Sequence, residues 1–505
     1  MFTKINSAAV VGVDCLPITA EVDVAGSWPG FQIVGLADTA IQEAKERIRT
    51  AWKNTDLSFP SNSRVVINLA PADVRKVGSA YDLPMATGMF IASEKIECDV
   101  ASSLFVGELA LDGTLRHTTG ILPLTIFAKE AGYTAIFLPA INAPEASIIH
   151  DVTVYPVRTF RDIVDHLTGV QKISPLTPRS HDVLFGAQET EMDMAFVKGQ
   201  SFVKRALEIA ASGAHNILLS GPPGSGKTLL ARTLPSILPR MTVDEAIEVT
   251  KIYSVAGLLS GDVSLVTTRP FRSPHHSASG VALVGGGKFP KPGEISLAHR
   301  GVLFLDEFPE FPRLVLENLR QPLEDGIVTI SRAQGTLTFP ASFTLVASQN
   351  PCPCGYATDT EKRCTCSPIS ISRYQKKISG PLLDRIDLHV EVPRVSFEKL
   401  TGDSDNESSG TIRERVEAAR ERQAMRLKGT PYTTNSEMKN KEIKQYCALN
   451  EASLALLRQA VERLHLSARS FHRIIKLSRT IADLSQSENI ETAHVAEALQ
   501  YRSKE

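Results

Sequence analysis

The first 170 residues alternate short apolar runs with longer stretches in which apolar residues recur every three or four positions. The short runs are typical of β-strands and the longer stretches of α-helices. The predicted strands are Ala20–Val24, Phe31–Val34, Arg64–Leu69 and Ala135–Leu138, and the predicted helices are Asp38–Lys53 and Thr125–Ala131. Residues 1–170 are therefore predicted to form an α/β or α+β domain.

Four further segments follow along the chain, each with its own pattern. Residues 171–192 are rich in proline and polar residues without sustained periodicity, which is typical of a linker. Residues 193–392 again alternate strand-like and helical runs and are predicted to form a second α/β domain. Residues 393–410 include an acidic stretch without large apolar residues, which indicates a mobile loop. Residues 411–505 are predicted to be helical. One apolar face of this last segment consists of Ile474, Leu477, Ile481 and Leu484.

Composition indicates a soluble globular protein without a strong overall charge. Of its 505 residues, 43% are hydrophobic and 22% are charged, and the formal net charge is −1. An anionic partner such as DNA therefore has to be met by a local basic patch. No stretch approaches the roughly 20 apolar residues that a membrane span needs, and Asp14 interrupts the N-terminal apolar run. We expect a cytoplasmic protein with no membrane partner.

A glycine-rich loop between an apolar strand and a helix is the strongest chemical signal. The strand Asn216–Ser220 leads into a segment that matches GxxxxGK[ST]. Its residues, predicted to bind ATP, are Gly221, Pro222, Pro223, Gly224, Ser225, Gly226, Lys227 and Thr228. Backbone N–H groups of such a loop wrap the phosphates, and the N-terminus of the helix adds a favourable field. We expect Lys227 to reach the β- and γ-phosphates and Thr228 to bind Mg²⁺.

A second signal lies downstream of this loop. The apolar run 301–305 ends in two carboxylates, Asp306 and Glu307. Asp306 is predicted to hold Mg²⁺ through water, and Glu307 to polarise the water that attacks the γ-phosphate. A lone apolar run followed by two acids is often only a strand end, but the preceding phosphate-binding loop favours the catalytic interpretation.

With these motifs the chain resembles the AAA+ ATPases and, within them, the magnesium-chelatase-like branch. Gly199 and Gln200 match the segment that lines the adenine in that superfamily. The apolar run Phe343–Ser348 is followed by Asn350, which matches the sensor asparagine between nucleotide and attacking water. The resemblance therefore implies ATP and Mg²⁺ as cofactors.

Two arginines extend the same resemblance. Arg385, in the run Gly-Pro-Leu-Leu-Asp-Arg-Ile-Asp, matches the arginine finger that reaches the γ-phosphate of a neighbouring subunit. Arg469 matches the second sensor arginine on the helical lid. Considered alone, either arginine could equally be a solvated or salt-bridged surface residue.

Residues 268–300 are locally basic in an otherwise neutral chain. Two aromatic residues, Phe271 and Phe289, accompany the charges and could stack on bases. The residues predicted to bind DNA are Arg269, Arg272, Lys288 and Lys291. The alternative is a hairpin that only packs against a neighbouring subunit. His275 and His276 are adjacent, and adjacent strand residues point to opposite faces, so a shared metal ion is not expected.

Four of the seven cysteines are concentrated in one short segment. They form two Cys-x-Cys pairs that flank a polar loop, and the four predicted ligands are Cys352, Cys354, Cys364 and Cys366. Four thiolates suit a tetrahedral structural Zn²⁺, and a reducing compartment would not keep these pairs as disulfides. The alternative is a set of free or redox-labile thiols on a surface insertion.

The N-terminal domain resembles the Lon-protease-like domain, a ribosomal S5 domain 2-like α+β fold. Residues 70–84 are similar to the loop that carries the Lon nucleophile, and residues 107–122 to the region that carries its lysine. Alignment of the glycines places Ala80 at the serine position and Leu122 at the lysine position, while Ser79 is one residue away. A serine without its base is a poor nucleophile, so proteolysis is not expected.

Taken together, the chain resembles the ComM/YifB family over essentially its whole length. This resemblance implies an N-terminal Lon-protease-like domain, a central P-loop AAA+ domain of αβα type and a C-terminal helical lid. It also implies a homo-hexameric motor that acts on single-stranded and branched DNA, with recombination proteins as possible partners, in naturally competent bacteria. A second local positive region, in the C-terminal helices, consists of Arg463, Arg469, Arg473, Lys476 and Arg479. The alternatives are a chelatase-type or protein-remodelling ATPase and, from the N-terminal resemblance alone, an ATP-dependent protease.

Overall fold

Strands, helices and their connections are described for most of the chain by a computed structural model. The described residues are 1–26, 28–35, 38–74, 76–177, 192–259, 263–287, 290–332, 335–359, 361–395, 406–464 and 466–502. Most of the predicted linker and most of the predicted acidic loop, 178–191 and 396–405, lie outside them. Two compact units result, the first from Met1–Gly186 with Val243–Thr267 and the second from Ala187–Thr242 with Thr268–Glu505.

The first unit is built on one large sheet with helices packed against it. Its strands are β1 (Phe2–Val11), β2 (Asp14–Ala25), β3 (Gly30–Val34), β4 (Arg64–Ala70), β5 (Ser103–Phe105), β6 (Glu108–Leu109), β7 (Leu115–Arg116), β8 (Ala135–Pro139) and β9 (Thr153–Val157). Its N-terminal helices are α1 (Thr39–Asn54), α2 (Asp82–Glu94), α3 (Ile121–Glu130), α4 (Ala143–Ala146) and α5 (Phe160–Thr168). Seven of the strands form the sheet, in the order β3-β4-β2-β1-β5-β8-β9. The strands and helices predicted for residues 20–138 are confirmed.

Strand β1 is not predicted from the sequence, because Lys4, Asn6 and Ser7 interrupt its apolar positions. It forms because it pairs antiparallel with β2 along its whole length, from Phe2 opposite Asp23 to Val11 opposite Asp14. The nearly uniformly apolar helix α2 packs on both strands and is buried over most of its length. Pairing with β2 and packing of α2 thus stabilise a strand that the local sequence pattern does not predict.

The second unit contains a five-stranded sheet, two small hairpins and a C-terminal helical region. Its strands are β10 (Ile217–Ser220), β11 (Phe271–Arg272), β12 (Gly285–Gly286), β13 (Lys291–Pro292), β14 (Val302–Leu305), β15 (Ile327–Arg332), β16 (Gly335–Pro340), β17 (Thr344–Gln349) and β18 (Leu388–Glu391). Helices α6 (Ser201–Gly213) and α7 (Lys227–Ile237) precede helix α8 (Val243–Ala256), which belongs to the first unit. The remaining helices are α9 (Gly280–Val284), α10 (Glu294–Leu297), α11 (Arg313–Glu317), α12 (Arg320–Asp325), α13 (Pro368–Gln375), α14 (Gly380–Leu383), α15 (Ser409–Arg426), α16 (Asn440–Tyr446), α17 (Glu451–Leu464), α18 (Ala468–Leu484) and α19 (Thr492–Gln500).

The strand order of the second sheet determines where its functional side chains meet. The order is β11-β14-β17-β10-β18, and every neighbouring pair is parallel. Strand β17 lies between β10 and β14, so the carboxyl ends of these three strands are adjacent. In open α/β sheets ligands bind at this edge.

The helical C-terminal region shares one hydrophobic core with this sheet. Helix α18 buries Ile474, Leu477 and Ile481, and Leu484 packs at the margin, which confirms the predicted apolar face. Among the described residues, none of the helices combines the length and apolar character needed to cross a membrane.

Helix α8 packs on the first unit, although the sequence analysis assigned its residues to the second α/β block. The helix contacts α3, and the Gly120 backbone N–H donates to the Ser254 carbonyl at 3.2 Å. The Ser254 hydroxyl also donates to the buried Glu145 carboxylate. The segment Val243–Thr267 thus belongs to the first unit, although the residues before and after it in the chain belong to the second.

Candidate functional site

The glycine-rich loop lies between β10 and α7 and holds Lys227 at its centre. Gly224 and Gly226 have φ values of +77° and +91°, a conformation that L side chains rarely adopt, so glycine shapes the loop. Lys227 Nζ donates to the Gly221 and Pro222 carbonyls at 2.7 and 2.9 Å and to Asn350 Oδ1 at 3.2 Å. Burial lowers the pKa of Lys227, while the Asp306 carboxylate opposes that shift. The loop lysine and the predicted sensor asparagine therefore share one site.

The two residues predicted to bind magnesium are also brought together. Thr228 Oγ1 donates to Asp306 Oδ2 at 2.9 Å, across the first turn of α7 and the end of β14. The other oxygen of Asp306 accepts from Ser348 Oγ on β17. A carboxylate fixed beside a hydroxyl at the carboxyl ends of parallel strands is suited to hold a hydrated Mg²⁺ next to phosphates.

Glu307 lies beside this pair in an unusual backbone conformation. Its φ is +52°, the left-handed region that is uncommon for a residue other than glycine and that is found preferentially at functional sites. Its Oε2 lies 3.2 Å from Nδ1 of His276. The His275 and His276 ring centroids lie 4.0 Å apart, with the rings tilted by 35°, where the chain turns after β11, so the expected strand alternation does not apply.

Gln200 is positioned by the chain that follows β18. It has a left-handed φ of +58°, and its side-chain Nε2 donates to the Pro393 carbonyl at 2.6 Å. Gly199, with φ +63°, precedes it and allows the turn into α6. The prediction that Gly199 and Gln200 line the adenine remains a prediction.

The two predicted catalytic arginines face a common carboxylate within the second unit. Arg385 forms an ion pair with Glu324 and donates to the Pro381 carbonyl at 2.7 Å. The hydrogen bond from Arg385 lowers the pKa of Glu324, and the charge of Arg469 contributes in the same direction. Arg469 is exposed near the start of α18. Their roles as arginine finger and second sensor remain predictions.

Two of the four predicted DNA contacts have intramolecular partners. The Arg269 guanidinium donates to the carbonyls of Pro239, Arg300 and Arg240, at 2.6, 2.7 and 3.3 Å. Arg272 forms a bidentate ion pair with Glu294, at 2.6 and 2.7 Å. These contacts give both arginines a structural role within the second unit, and their role in DNA binding remains a prediction.

Of the other two predicted DNA contacts and the two nearby aromatic residues, the structure describes only one of each kind. Lys291 is exposed on β13. Lys288 and Phe289 lie outside the described residues. Phe271 is in the sheet, where its ring stacks 5.9 Å from that of Phe304. The exposure of Lys291 suits a phosphate contact, and the DNA-binding role of the whole set remains a prediction.

The second predicted basic region is largely internal to the fold. Lys476 donates to the Ser436 carbonyl at 2.7 Å, and Arg473 to the Ile386 carbonyl. Arg479 is buried and donates to the carbonyls of Ser487 and Glu488, both at 2.7 Å. Arg463 and Arg469 are exposed. The positive surface inferred from the sequence therefore does not include Arg473, Lys476 or Arg479.

The four cysteines of the Cys-x-Cys pairs form one cluster. Their sulfur atoms all lie within 4.8 Å of one another, and Cys352 Sγ is 3.4 Å from Cys354 Sγ and 3.7 Å from Cys364 Sγ. A tetrahedron with Zn–S bonds of about 2.3 Å has edges of about 3.8 Å. Backbone N–H groups of Tyr356 and Thr365 lower the pKa of Cys354, while desolvation and the neighbouring thiols raise the pKa of Cys364 and Cys366. The donor set fits a structural Zn²⁺.

In the first unit, the region similar to the Lon active site holds apolar and intramolecularly bonded residues. Leu122 is fully buried, and its backbone N–H donates to Glu145 at 2.8 Å. Ala80 packs against the core that includes α3. Ser79 donates to Glu108, a carboxylate that also pairs with Arg116 at 3.6 Å. The two residues aligned with the Lon serine and lysine, Ala80 and Leu122, have side chains that cannot act as nucleophile or base.

Three features of the site were not predicted from the sequence. Ser348 looks like an ordinary strand residue, although its alternation on β17 places it opposite Asp306. His276 was considered only as a metal ligand, and nothing local indicates its contact with Glu307. The hairpin β15–β16, with Ile327 paired to Pro340 at one end and Arg332 to Gly335 at the other, follows α11 and α12, which come after Glu307 in the chain. Its alternating residues, before and after Arg332, were a signal that could have identified it.

Comparisons with known proteins agree with this architecture. The family model described as "Magnesium chelatase, subunit ChlI" matches residues 193–400, "Subunit ChlI of Mg-chelatase" matches 20–142, and "Magnesium chelatase, subunit ChlI C-terminal" matches 406–502. Lon protease 2 of Bacillus subtilis is 28% identical over 181 residues, 32% of each chain. The fold and site thus define a magnesium-chelatase-like ATPase of the AAA+ class with a Lon-protease-like N-terminal domain.

Two full-length similarities identify the family. Competence protein ComM of Haemophilus influenzae is 44% identical over 505 residues, which cover 99% of this chain and 97% of that protein. The uncharacterized protein YifB of Escherichia coli K12 is 40% identical over 505 residues, which cover 99% and 96%. The chain belongs to the ComM/YifB family. The predicted family and fold class are confirmed.

Proposed function

We propose that this protein is an ATP-driven ring motor that moves branched DNA while imported single strands are integrated during natural transformation. The observation that carries the proposal is the convergence of Lys227, Thr228, Asp306, Glu307 and Asn350 at the adjacent ends of β10, β14 and β17. The relative named competence protein ComM supports a role in competence, and the resemblance to its family implies DNA as the partner. The proposed setting is the cytoplasm, with recombination proteins as partners.

Each residue of the site has a distinct task in this proposal. Lys227 neutralises phosphate charge, and the loop N–H groups around it bind the phosphate oxygens. Thr228 and Asp306 hold Mg²⁺, which supplies charge compensation between the β- and γ-phosphates when it is bound. Glu307 orients and polarises the attacking water, with Asn350 opposite it. Gly199 and Gln200 border the adenine.

The remaining catalytic charge comes from outside the nucleotide's own subunit. Arg385 pairs with Glu324 within one chain, so it contributes to hydrolysis only after it turns to the γ-phosphate of a neighbour. That requirement makes a closed ring, proposed as a homo-hexamer, the active form. Arg469 on α18 would sense the nucleotide from the helical lid of the subunit that binds it.

In this proposal DNA contacts the two hairpins of the second unit, β12–β13 and β15–β16. Lys291 lies on the first of them, and both hairpins precede residues of the ATP site in the chain. Contacts to phosphates are sequence-independent, so we expect little base preference. Zn²⁺ bound by the four cysteines would fix the loop after Asn350.

A second candidate function is protein remodelling or metal chelation, since the family models that match carry the magnesium chelatase name. It shares the whole ATP site and differs only in what the hairpins contact. Proteolysis is not part of either proposal, because Leu122 and Ala80 stand at the positions of the Lon lysine and serine.

ATP hydrolysis in the presence of different partners distinguishes the two candidates. We expect forked or single-stranded DNA to raise the rate of ATP hydrolysis by the wild-type protein. The Glu307→Gln variant should not hydrolyse ATP in the presence of either DNA. A plot of the logarithm of the DNA-binding constant against the logarithm of the salt concentration has a negative slope. Lys291→Ala removes one charge and should make that slope shallower by about 0.7–0.9. A rate of hydrolysis that does not respond to any DNA would favour the remodelling function.

A further inference from the structure

The loop that carries the four cysteines contacts the phosphate-binding loop directly. Gly355, which follows Cys354, is buried and has a φ of +86°. A Cβ placed there would lie 2.6 Å from Cδ of Pro223 and 3.8 Å from Cγ of Asn350. Only glycine allows this approach, so the backbone of the cysteine loop lies against Pro223 of the phosphate-binding loop.

The same loop also contacts Arg394, next to the residue that positions Gln200, and Gln200 is predicted to line the adenine. Asp359 forms an ion pair with Arg394 at 2.6 Å, and Glu361 lies 3.4 Å from the same guanidinium. The Tyr356 ring lies 5.9 Å from that guanidinium. Arg394 follows Pro393, whose carbonyl accepts from the Gln200 side chain at 2.6 Å.

We propose that the cysteine loop, residues 352–366, is a wall of the ATP site, and that Zn²⁺ bound to it sets the affinity for nucleotide. The inference rests on the proposed ATP and zinc sites. In this proposal the loop stabilises the phosphate side of the site through Gly355 and the adenine side through Asp359.

The physical reason is the cost of ordering a short polar loop. The segment between the two Cys-x-Cys pairs has little apolar surface, so burial of side chains does little to order it. A metal that joins the two ends of the segment restricts its conformations instead. With the metal bound, the contacts to Pro223 and Arg394 are already in place when the nucleotide arrives. Without it, nucleotide binding has to order the loop, and the affinity falls.

Two glycine variants separate this contact from backbone strain. Gly355→Ala adds a methyl group against Pro223, while Gly429→Ala introduces the same strain at φ +87° with no atom within 4 Å of the new Cβ. We expect Gly355→Ala to keep one zinc per chain and to weaken binding of a fluorescent ATP analogue, in excess Mg²⁺, by at least about fivefold. Gly429→Ala should bind as the wild type does. Equal affinities of the two variants would overturn the proposal.

Asp359→Asn provides a second variant for the case in which Gly355→Ala does not fold. It preserves the size of the side chain and removes the charge that pairs with Arg394, so it should also weaken nucleotide binding while zinc is retained. A wild-type affinity in Asp359→Asn with normal far-UV circular dichroism would contradict the bracing role of the loop.

Removal of the metal tests the coupling itself. Zinc stripped by a zinc-selective chelator in excess Mg²⁺, or lost in Cys352→Ser/Cys364→Ser, should weaken binding of the ATP analogue, and zinc added back to the stripped wild type should restore it. Coupling is reciprocal, so ATP should tighten zinc binding by the same factor. An unchanged nucleotide affinity after stripping, or no zinc in protein purified without chelators, would overturn the proposal.

One control keeps this proposal distinct from the proposed ATP site. Lys227→Ala should abolish binding of the analogue with zinc retained. If it does and the loop variants bind normally, only the bracing role fails. If wild type and Lys227→Ala bind alike, the assignment of the ATP site fails.

Discussion

Lys227 and Glu307 lie in the same site but act at different stages of the reaction. Lys227 is directed at ground-state phosphate charge, whereas Glu307 acts only on the attacking water. We predict that Lys227→Ala loses nucleotide binding, and that Glu307→Gln binds ATP normally and does not turn it over. Equilibrium binding and single-turnover hydrolysis measure the two effects. Equal loss of binding in both variants would contradict the assignment.

The contact between His276 and Glu307 predicts a second effect at the residue scale. A carboxylate that an imidazole holds at 3.2 Å is not free to orient water. We predict that His276→Ala raises ATP hydrolysis in the absence of DNA and reduces its stimulation by DNA, and that His276→Asn, which can still donate a hydrogen bond, restores part of the stimulation.

His275→Ala is the matched control for that prediction. His275 is the neighbouring residue, and its Nδ1 lies 2.8 Å from Ser277 Oγ. Its removal should leave both rates near the wild-type values. If the two alanine variants behave alike, the effect comes from the turn after β11 as a whole and His276 does not position Glu307.

At the scale of elements, helix α8 depends on one buried carboxylate. Glu145 accepts hydrogen bonds from the Leu122 backbone N–H, the Asn142 side chain and the Ser254 hydroxyl of α8. Burial raises the pKa of Glu145, and the bond from Ser254 opposes that shift. The helix is thus fixed to α3 through an acceptor that the sequence pattern does not reveal.

Replacement of this carboxylate tests how α8 is held. Glu145→Ala leaves three donors without their acceptor and should lower the free energy of unfolding by about 2–4 kcal/mol, while Glu145→Gln retains an acceptor oxygen and should cost less. Urea denaturation measures the difference, and limited proteolysis should cut within Val243–Thr267 faster in Glu145→Ala. A wild-type stability of Glu145→Ala would show that the carboxylate does not hold the helix.

The elements that the sequence predicts best are those with a local signature. The glycine pattern of the phosphate-binding loop requires a strand before it and a helix after it, and the structure has β10 and α7 there. Strand β1 and the position of α8 depend on tertiary partners, which no local pattern contains. The DNA-binding prediction counted the charges of Arg269 and Arg272. It could not include the backbone carbonyls and the Glu294 carboxylate that engage them in the fold.

In the proposed ring of subunits, each ATP site is shared between two neighbouring chains. Lys227 belongs to the subunit that binds the nucleotide, and Arg385 is proposed to act on the nucleotide of its neighbour. An interface between an Arg385→Ala subunit and a Lys227→Ala subunit can therefore contain one complete site, although neither variant forms one alone. An arginine finger contributes about 10³–10⁵ in rate where it has been measured.

Movement of a DNA junction by the wild type, the two variants and their mixture tests whether the ATP sites are shared. The substrate is a three-stranded DNA junction with one labelled strand, and the readout is release of that strand with ATP and Mg²⁺. We predict release by the wild type, none by Lys227→Ala or Arg385→Ala alone, and partial release by the mixture. A wild type that hydrolyses ATP without moving the junction, or a mixture with no activity beyond its components, would contradict the account.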